Sequence, residues 1–502
     1  MRKKVMIIGA GIAGLSAGCY LQMNGYDTEI VELHNQPGGL CTSWKRKGYT
    51  IDGCIHWLMG SSPSDEFYSL WNELIDMKSI QFINHDVSMQ FEDRTGNVIR
   101  FFSDVDRLEK ELLEKAKQDK KMILSMTKAI RKLRTFKLPV SKAPETYTFL
   151  DFIRFFWDLI PYYGELNKWI RISASEYANN FQTPLLRKAI RGMFWPDMNM
   201  LFIILMMVWF DKKTAGYPIG GSLAFSRLFE KRYLELGGKI HYKSKVIKII
   251  TEKFTTIKDK ATGILLDNEQ SYSGDIIISA ADGHYTLFEM LSEIYHTDQI
   301  KNYYSTYPMF SSYIQVSLGI QRTFDQEPHM ASMALNSPIV IDPMTSVEDI
   351  SLRIFNFDPT LADKGSTLIT LMFTTYNHDY WNQLRQQDPD TYKKEKDRIA
   401  NDIIDVLDKR YGNIRSQVEM IDVSTPATVI RYTNNYKGSY EGWVWTPQIG
   451  FKTMSKELPR LKNFYMIGQW VEPGGGLPPA LLSGRNVCQL ICMQDHKPFV
   501  VR

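Results

Sequence analysis

The chain has 502 residues, of which 44% are hydrophobic and 23% are charged, so it can form more than one hydrophobic core and is not disordered. Its 60 basic and 56 acidic side chains leave a formal net charge of +4, and this balance argues against a nucleic-acid-binding protein. Five scattered cysteines without a CxxC pair exclude a disulfide scaffold and a zinc ribbon, and we expect no metal site.

The chain starts with a pattern typical of a dinucleotide-binding βαβ unit. Residues 5–21 predict a short buried strand over 5–8, a GxGxxG turn made by Gly9, Gly11 and Gly14, and a helix over 12–21. A second strand then ends in Glu32, at the distance where a carboxylate can bind a ribose 2′-hydroxyl. The acid disfavours a 2′-phosphate, which leaves NAD or FAD as the dinucleotide.

A second glycine pair follows the acid and favours FAD. Gly38 and Gly39 stand where an NAD-binding domain would normally enter its next helix. The stretch YTIDGCIHWLMG comes next and contains Asp52 and His56. We expect Asp52 to fix backbone or cofactor geometry, and His56 either to deliver a proton or to support the cofactor through hydrogen bonds.

A basic segment precedes an aromatic helix in the middle of the chain. Residues 107–142 carry a local charge of +8, and the following helix TFLDFIRFFWDLI confines its polar residues to one narrow stripe. Two interpretations remain open: a solvated basic helix followed by a buried helix, or a membrane-surface contact across 107–160. The longest apolar run, residues 201–210, is too short to span a bilayer.

The second half of the chain predicts another sheet and a second glycine turn. Residues 311–320, 351–357 and 367–374 are rich in β-branched and aromatic residues and predict strands. Near the C-terminal end, GQWVEPGGGLPPALLSGR predicts a glycine turn that leads into a helix starting near Leu477. Its N-terminus would attract an anion, and Pro478 suits the first helical turn.

Together these motifs resemble the extended FAD fingerprint of the amine-oxidase-like flavoproteins, and within that superfamily the phytoene desaturases, carotenoid isomerases and retinol saturases. The stretches YPIGGSLAFSRLFEKRYLELGGKIHYKSKVIKI, IIISAADGHYTLFEML and NNYKGSYEGW resemble further blocks of that family. The resemblance implies that both glycine turns hold one FAD. The cofactor-binding residues that it implies, with the βαβ pattern, are Gly9, Gly11, Gly14, Glu32, Gly38, Gly39, Leu40, Thr42, Asp52, Val246, Asp282, Gly468, Gly475, Gly476, Leu477 and Pro478.

The resemblance also implies an α/β fold with interleaved parts. A discontinuous Rossmann-type FAD-binding domain is expected over residues 1–85, 215–290 and 420–502. A mixed-sheet substrate domain would occupy 291–419, and a mostly helical lid region, with the membrane contact if there is one, would occupy 86–214.

The function implied is an FAD-dependent oxidoreductase acting on carbon–carbon bonds of a long apolar unsaturated lipid, such as a carotenoid, retinoid or other isoprenoid. Saturase, desaturase and cis-trans isomerase activities remain open, and a flavin amine oxidase or a non-catalytic isoprenoid carrier are the alternatives. Candidate catalytic residues are His56, Tyr440, Glu441 and Glu472. No second nucleotide fingerprint is visible, so the electron donor or acceptor would be a separate molecule. We expect a cytoplasmic protein, peripherally membrane-associated if 107–160 binds lipid.

Overall fold

The computed structural model describes residues 2–256 and 258–501, and its strands form two large sheets and two small ones. The strands in chain order are β1 (Lys4–Ile8), β2 (Asp27–Val31), β3 (Ser43–Arg46), β4 (Tyr49–Asp52), β5 (Leu58–Met59), β6 (Phe82–Ile83), β7 (Val87–Glu92), β8 (Val98–Phe102), β9 (Ala215–Pro218), β10 (Lys239–His241), β11 (Val246–Lys253), β12 (Asp259–Leu266), β13 (Ser271–Ser273), β14 (Ile276–Ser279), β15 (Ser312–Ile320), β16 (Met330–Asp342), β17 (Thr345–Ile354), β18 (Thr367–Thr375), β19 (Val418–Ser424), β20 (Glu457–Leu458) and β21 (Leu461–Met466).

Helices cover the sheets and fill the segment between residues 105 and 211. They are α1 (Ile12–Met23), α2 (Glu66–Asn72), α3 (Val105–Lys115), α4 (Lys120–Leu133), α5 (Phe149–Leu159), α6 (Tyr163–Ile170), α7 (Ala174–Ala178), α8 (Pro184–Gly192), α9 (Met200–Asp211), α10 (Gly221–Glu235), α11 (Gly283–Phe288), α12 (Asp298–Thr306), α13 (His378–Gln387), α14 (Pro389–Tyr411), α15 (Ile414–Gln417), α16 (Pro426–Thr433) and α17 (Leu477–Gln494).

The first large sheet is a parallel core with antiparallel additions. Its path runs β10-β2-β1-β14-β21-β12-β11, and β1 pairs in parallel with both β2 and β14. The run of β1 from Val5 to Ile8 is buried throughout, as expected of a strand covered by helices on both faces. The predicted α/β fold class is confirmed.

The two ends of the chain meet in this sheet and in the helices above it. Strand β21 pairs with β14 through the register Ile277↔Phe464. Strand β14 pairs on its other side with β1, which comes from the opposite end of the sequence. Helix α17 lies against α1 so closely that a Cβ at Gly484 would come within 2.7 Å of the Ala13 carbonyl oxygen. Glycine at this position therefore allows the two helices to contact each other.

The second large sheet runs β19-β15-β18-β17-β16-β7-β8. The predicted strands at 311–320 and 367–374 correspond to β15 and β18, whereas β17 starts earlier than the predicted 351–357, at Thr345. Strands β7 and β8 come from the segment predicted to be mostly helical and extend this sheet. Their alternation of buried and more exposed residues is typical of a sheet edge with one face inward.

Helix α5 differs from its neighbours because none of its residues is buried. Phe149 is 78% exposed and Trp157 is 69% exposed, and Phe152 and Phe156 are also exposed. The interpretation of this helix as a buried element is therefore wrong. No helix within residues 2–256 and 258–501 combines the length and apolarity needed to cross a bilayer.

Candidate active site

Both glycine turns open into one elongated cavity, which we call the first cavity. Helix α1 begins directly after Gly11, and helix α17 begins directly after Gly476, and both glycines line this cavity. Neither helix has a side-chain cap at its N-terminus. The N–H groups in the first turn of α1 and the Leu477 N–H of α17 therefore remain available to an anionic ligand such as a diphosphate, whereas Pro478 and Pro479 have no N–H to offer.

Missing side chains at the glycines leave the space that a dinucleotide needs. A Cβ at Gly11 would meet no heavy atom closer than 3.9 Å, and one at Gly39 none closer than 3.6 Å, so both would project into the cavity. Gly14 has a different role, because a Cβ there would lie 2.0 Å from the Gly9 carbonyl oxygen. These residues fit FAD, with Gly14 closing the turn and Gly11 and Gly39 admitting the diphosphate.

Glu32 lines the first cavity and follows directly after β2. Its Oε2 accepts a hydrogen bond from the Ala10 N–H at 2.7 Å, and its Oε1 accepts one from the His34 N–H at 2.7 Å. Burial raises the pKa of Glu32, and these two backbone donors oppose the shift. Val246 lines the same cavity. The carboxylate is thus held where it can accept from ribose hydroxyls.

Most of the predicted site residues line the first cavity. These are Gly9, Gly11, Glu32, Gly38, Gly39, Leu40, Val246, Asp282, Tyr440, Glu441, Gly468, Gly476 and Leu477. Gly14, Thr42, Asp52, Gly475 and Pro478 are not among the lining residues and support those that are. Asp282, one of the lining residues, caps α11 and accepts a hydrogen bond from the Tyr436 N–H at 2.8 Å. Burial raises the pKa of its carboxyl to about 7.

Asp52 lies between the first cavity and the second sheet. Its Oδ1 accepts from the Ser222 N–H at 2.9 Å and from the Ser43 hydroxyl at 3.2 Å, which joins β4 to the start of α10. Burial raises the pKa of this carboxyl, and the nearby Arg353 partly opposes the shift. These contacts support the prediction that Asp52 fixes geometry.

Tyr440 and Glu441 also line the first cavity. Desolvation raises the pKa of Glu441 to about 8, so its carboxyl is mostly protonated at pH 7. Glu441 also lies against the glycine turn, since a Cβ at Gly475 would come within 2.4 Å of the Glu441 Cβ. Glu441 is therefore a side chain in this cavity that can hold a proton at neutral pH.

Glu472 occupies a different position from the one expected of a catalytic residue. Its carboxylate accepts from the Lys456 ammonium at 3.1 Å and lines neither of the two cavities described in this section. Lys456 also contacts Glu145 at 2.8 Å, and its side chain is only 3% exposed. The prediction placed Glu472 near the flavin ring because it precedes the glycines; the structure shows it in a buried ion pair.

His56 lines a second cavity of about 80 Å³. Apolar side chains dominate its wall, namely Trp57, Met89, Met193, Phe194, Met206, Phe210 and Met330. Burial, and then Arg353, lower the pKa of His56 well below its ordinary value, so the ring is neutral at pH 7. A neutral imidazole is a weaker acid than the protonated carboxyl of Glu441, which makes His56 the poorer proton donor.

An aromatic wall separates the two cavities. The Trp195 ring stacks on the Tyr440 ring with centroids 6.0 Å apart. The ring of Phe194, which lines the second cavity, packs against the Trp195 ring with centroids 5.8 Å apart. Tyr440 faces the first cavity. A substrate seated in the second cavity would therefore approach the cofactor through aromatic side chains.

Arg353 is a residue of this site that sequence reasoning missed. It lies in β17, is only 6% exposed and lines the second cavity. The signal was present in the sequence, because a charged residue interrupts the apolar alternation of SLRIFNF.

Comparison with known proteins places the chain in a family. The family model described as flavin containing amine oxidoreductase matches residues 12–492. The chain belongs to this family. It is an FAD-dependent oxidoreductase, as the resemblance of its motifs to this superfamily implied.

The sequence identity between the chain and individual relatives is low. The chain is 24% identical to a chloroplastic prolycopene isomerase of Daucus carota over 95% of this chain and 78% of the relative. It is 22% identical to a 4,4'-diapophytoene desaturase of Methylomonas sp over 99% of this chain and 96% of the relative. The solved structure of putrescine oxidase bound to putrescine aligns over 98% of this chain and 99% of that chain with a TM-score of 0.62 and 13% identity, which shows the shared fold.

Proposed function

We propose that this flavoprotein acts on carbon–carbon bonds of a long, apolar, unsaturated lipid. The observation that carries the proposal is the second cavity, whose wall of methionine and aromatic side chains is joined to the first cavity through Trp195 and Tyr440. Its apolar side chains can bind hydrocarbon by burying its surface. Two relatives support this choice, since they are named for isomerising prolycopene and for desaturating 4,4'-diapophytoene.

The side chains around the two cavities have separate tasks in this proposal. FAD supplies a centre that accepts or donates a hydride when it is bound. Tyr440, Trp195 and Phe194 align the chain of the lipid and exclude water from the reacting carbons. Glu441 holds a proton at neutral pH, and a saturase would transfer that proton to the carbon skeleton.

A flavin amine oxidase is the alternative within the same family. The substrate of such an enzyme binds as a cationic amine. Carboxylates or aromatic faces attract a cation, and a positive charge nearby repels it. The buried guanidinium of Arg353 in the second cavity opposes such a substrate. The second cavity therefore favours a lipid over an amine.

An anaerobic titration of the holoprotein with polyenes, retinoids and other unsaturated lipids tests the proposal. We expect one of these lipids to bleach oxidised flavin if the enzyme is a desaturase, or to reoxidise reduced flavin if it is a saturase. A change in double-bond geometry with reduced flavin and no net oxidation would identify an isomerase. Reaction with an amine such as putrescine, and with none of the lipids, would contradict the proposal.

We also propose that α5 binds the surface of a membrane, from which the lipid enters. Its exposed aromatic residues form an apolar surface, and α4 ends nearby, where Tyr162 after α5 donates to the Thr135 hydroxyl at 3.0 Å. Exposed basic residues at that end of α4 include Lys132 and Lys137. Apolar side chains beside lysines match the interface of a bilayer that contains anionic lipids.

A triple replacement on α5 tests this contact. We expect F149S/F156S/W157S to reduce sedimentation with vesicles of phosphatidylcholine and phosphatidylglycerol by at least about tenfold, because each buried aromatic contributes roughly 1.5–3 kcal/mol. The control F254S/M344S/F451S removes equally exposed apolar residues elsewhere and should sediment like the original chain. Equal losses in both variants would contradict a specific role for α5.

A further inference from the structure

A buried positive charge in the second cavity has no carboxylate partner. In the described parts of the chain, no Asp or Glu oxygen lies within 4 Å of the Arg353 guanidinium nitrogens. The guanidinium donates one hydrogen bond, from Nη2 to the His56 carbonyl oxygen at 3.2 Å. A guanidinium has five N–H donors, so most of its donor capacity is unused.

Aromatic rings fix the orientation of this guanidinium. Its central carbon lies 4.6 Å from the centre of the Phe355 ring and 5.3 Å from the centre of the Tyr217 ring. These contacts offset part of the desolvation cost, but they satisfy none of the planar N–H groups. Asp52 attracts the guanidinium electrostatically but forms no ion pair with it; its Oδ1 is bonded to Ser43 and Ser222, and its buried Oδ2 has no hydrogen-bond partner. The charge is therefore available to a ligand.

A second unpaired polar atom faces the same space. Nε2 of His85 is buried without a hydrogen-bond partner, and its ring stacks on His329 with centroids 3.4 Å apart. Both histidines line the second cavity. Burial lowers the pKa of His85 to about 4, so the ring is neutral and contributes a hydrogen bond rather than a charge. Arg353 is then the single positive charge among the described residues that line this cavity.

The size and lining of the cavity limit what the charge can bind. A volume of about 80 Å³ has room for a small polar headgroup. A carboxylate matches one guanidinium in charge and accepts two parallel N–H bonds from it. The methionine and aromatic wall suits the carbons next to such a headgroup.

From these contacts we infer that the substrate of this enzyme is an amphiphilic lipid acid, whose terminal carboxylate is bound by Arg353 with His85 as a second partner. The inference rests on the proposed function and narrows its substrate class. Arg353 shares the second cavity with Phe194, which packs on Trp195, and Trp195 stacks on Tyr440 of the first cavity. Anchoring the headgroup there fixes which carbons of the chain reach the cofactor.

A comparison of matched ligands tests the inference on the holoprotein. Oleate, methyl oleate and oleyl phosphate share one chain, and their binding is followed through the flavin absorbance spectrum. We expect oleate to bind about 10- to 100-fold more tightly than methyl oleate, as a charge-assisted bidentate contact provides. R353M should remove this preference, so that oleate binds no more tightly than methyl oleate. R191M, which removes an exposed arginine on α8, should keep the preference.

The thermal stability of R353M separates ligand binding from a structural role. Methionine preserves the length of the side chain and removes an unpaired buried charge, so the unliganded variant should unfold at the same temperature as the original chain or higher. A clear decrease would mean that Arg353 is structural and would overturn the inference. Equal affinities for oleate and methyl oleate in the original chain would also overturn it, as would tighter binding of oleyl phosphate than of oleate.

Failure of the inference differs from failure of the proposed function. If neutral polyenes react with the flavin and acids bind no better than esters, the lipid activity stands and the role of Arg353 is wrong. If acids and neutral lipids alike neither bind nor react, the proposed function fails as well.

Discussion

Gly11→Val is expected to weaken FAD binding by about 10- to 100-fold while the chain still folds. The backbone of Gly11 has a φ of −68°, which any residue can adopt, and no heavy atom lies within 3.9 Å of an added Cβ. The valine side chain would instead occupy the space of the cofactor diphosphate. Titration of the apoprotein with FAD, followed by flavin fluorescence, measures the loss, and circular dichroism checks the fold.

Gly164→Val is the matched control for that experiment. Gly164 lies in α6 with open space around it and away from both cavities, so the same substitution should leave FAD affinity unchanged. Unchanged FAD affinity in the Gly11 variant would show that the cofactor does not approach this turn. Gly14→Ala should instead impair folding itself, because its Cβ would lie 2.0 Å from the Gly9 carbonyl oxygen.

Lys456→Met is expected to lower the free energy of unfolding by about 3–5 kcal/mol, because it leaves the buried carboxylate of Glu472 without its partner. Burial already raises the pKa of Glu472, and Lys456 is the group that opposes this shift. Urea unfolding of the holoprotein at pH 7 measures the loss.

The double variant K456M/E472Q distinguishes the ion pair from a catalytic role. Removing both charges should restore most of the lost stability, and E472Q alone should retain turnover, since Glu472 lines neither cavity. A loss of turnover in E472Q at unchanged stability would restore Glu472 as a catalytic candidate.

The sequence was sufficient for the parts of this protein that depend on local backbone chemistry. The GxGxxG turn, the acid after β2 and the helix after the C-terminal glycines are each encoded within a few residues, and each lines the first cavity. Family resemblance then joined two turns that no local pattern connects. The sequence could not decide whether α5 is buried in the protein or exposed on its surface, because the same amphipathic pattern suits packing against a protein core and binding to a membrane.

Residues whose role depends on long-range contacts were not predictable in the same way. Glu472 and Lys456 are 16 positions apart in the sequence, and only the folded chain brings them to 3.1 Å. Arg353 acquires its importance from His56 and Tyr217, which belong to other segments and leave its charge unpaired. Tertiary packing determines which groups surround a buried charge, so the hydrophobic periodicity of a strand does not predict them.

The meeting of the chain ends sets an order of events during synthesis. Because α17 and β21 complete a cavity whose other half is made by α1, the cofactor cannot be fully enclosed until the last segments have left the ribosome. An emerging chain would hold its first glycine turn open for most of translation. A product cut short before residue 477 would lack one half of the enclosure, and so a retained flavin colour would report that synthesis has passed α17.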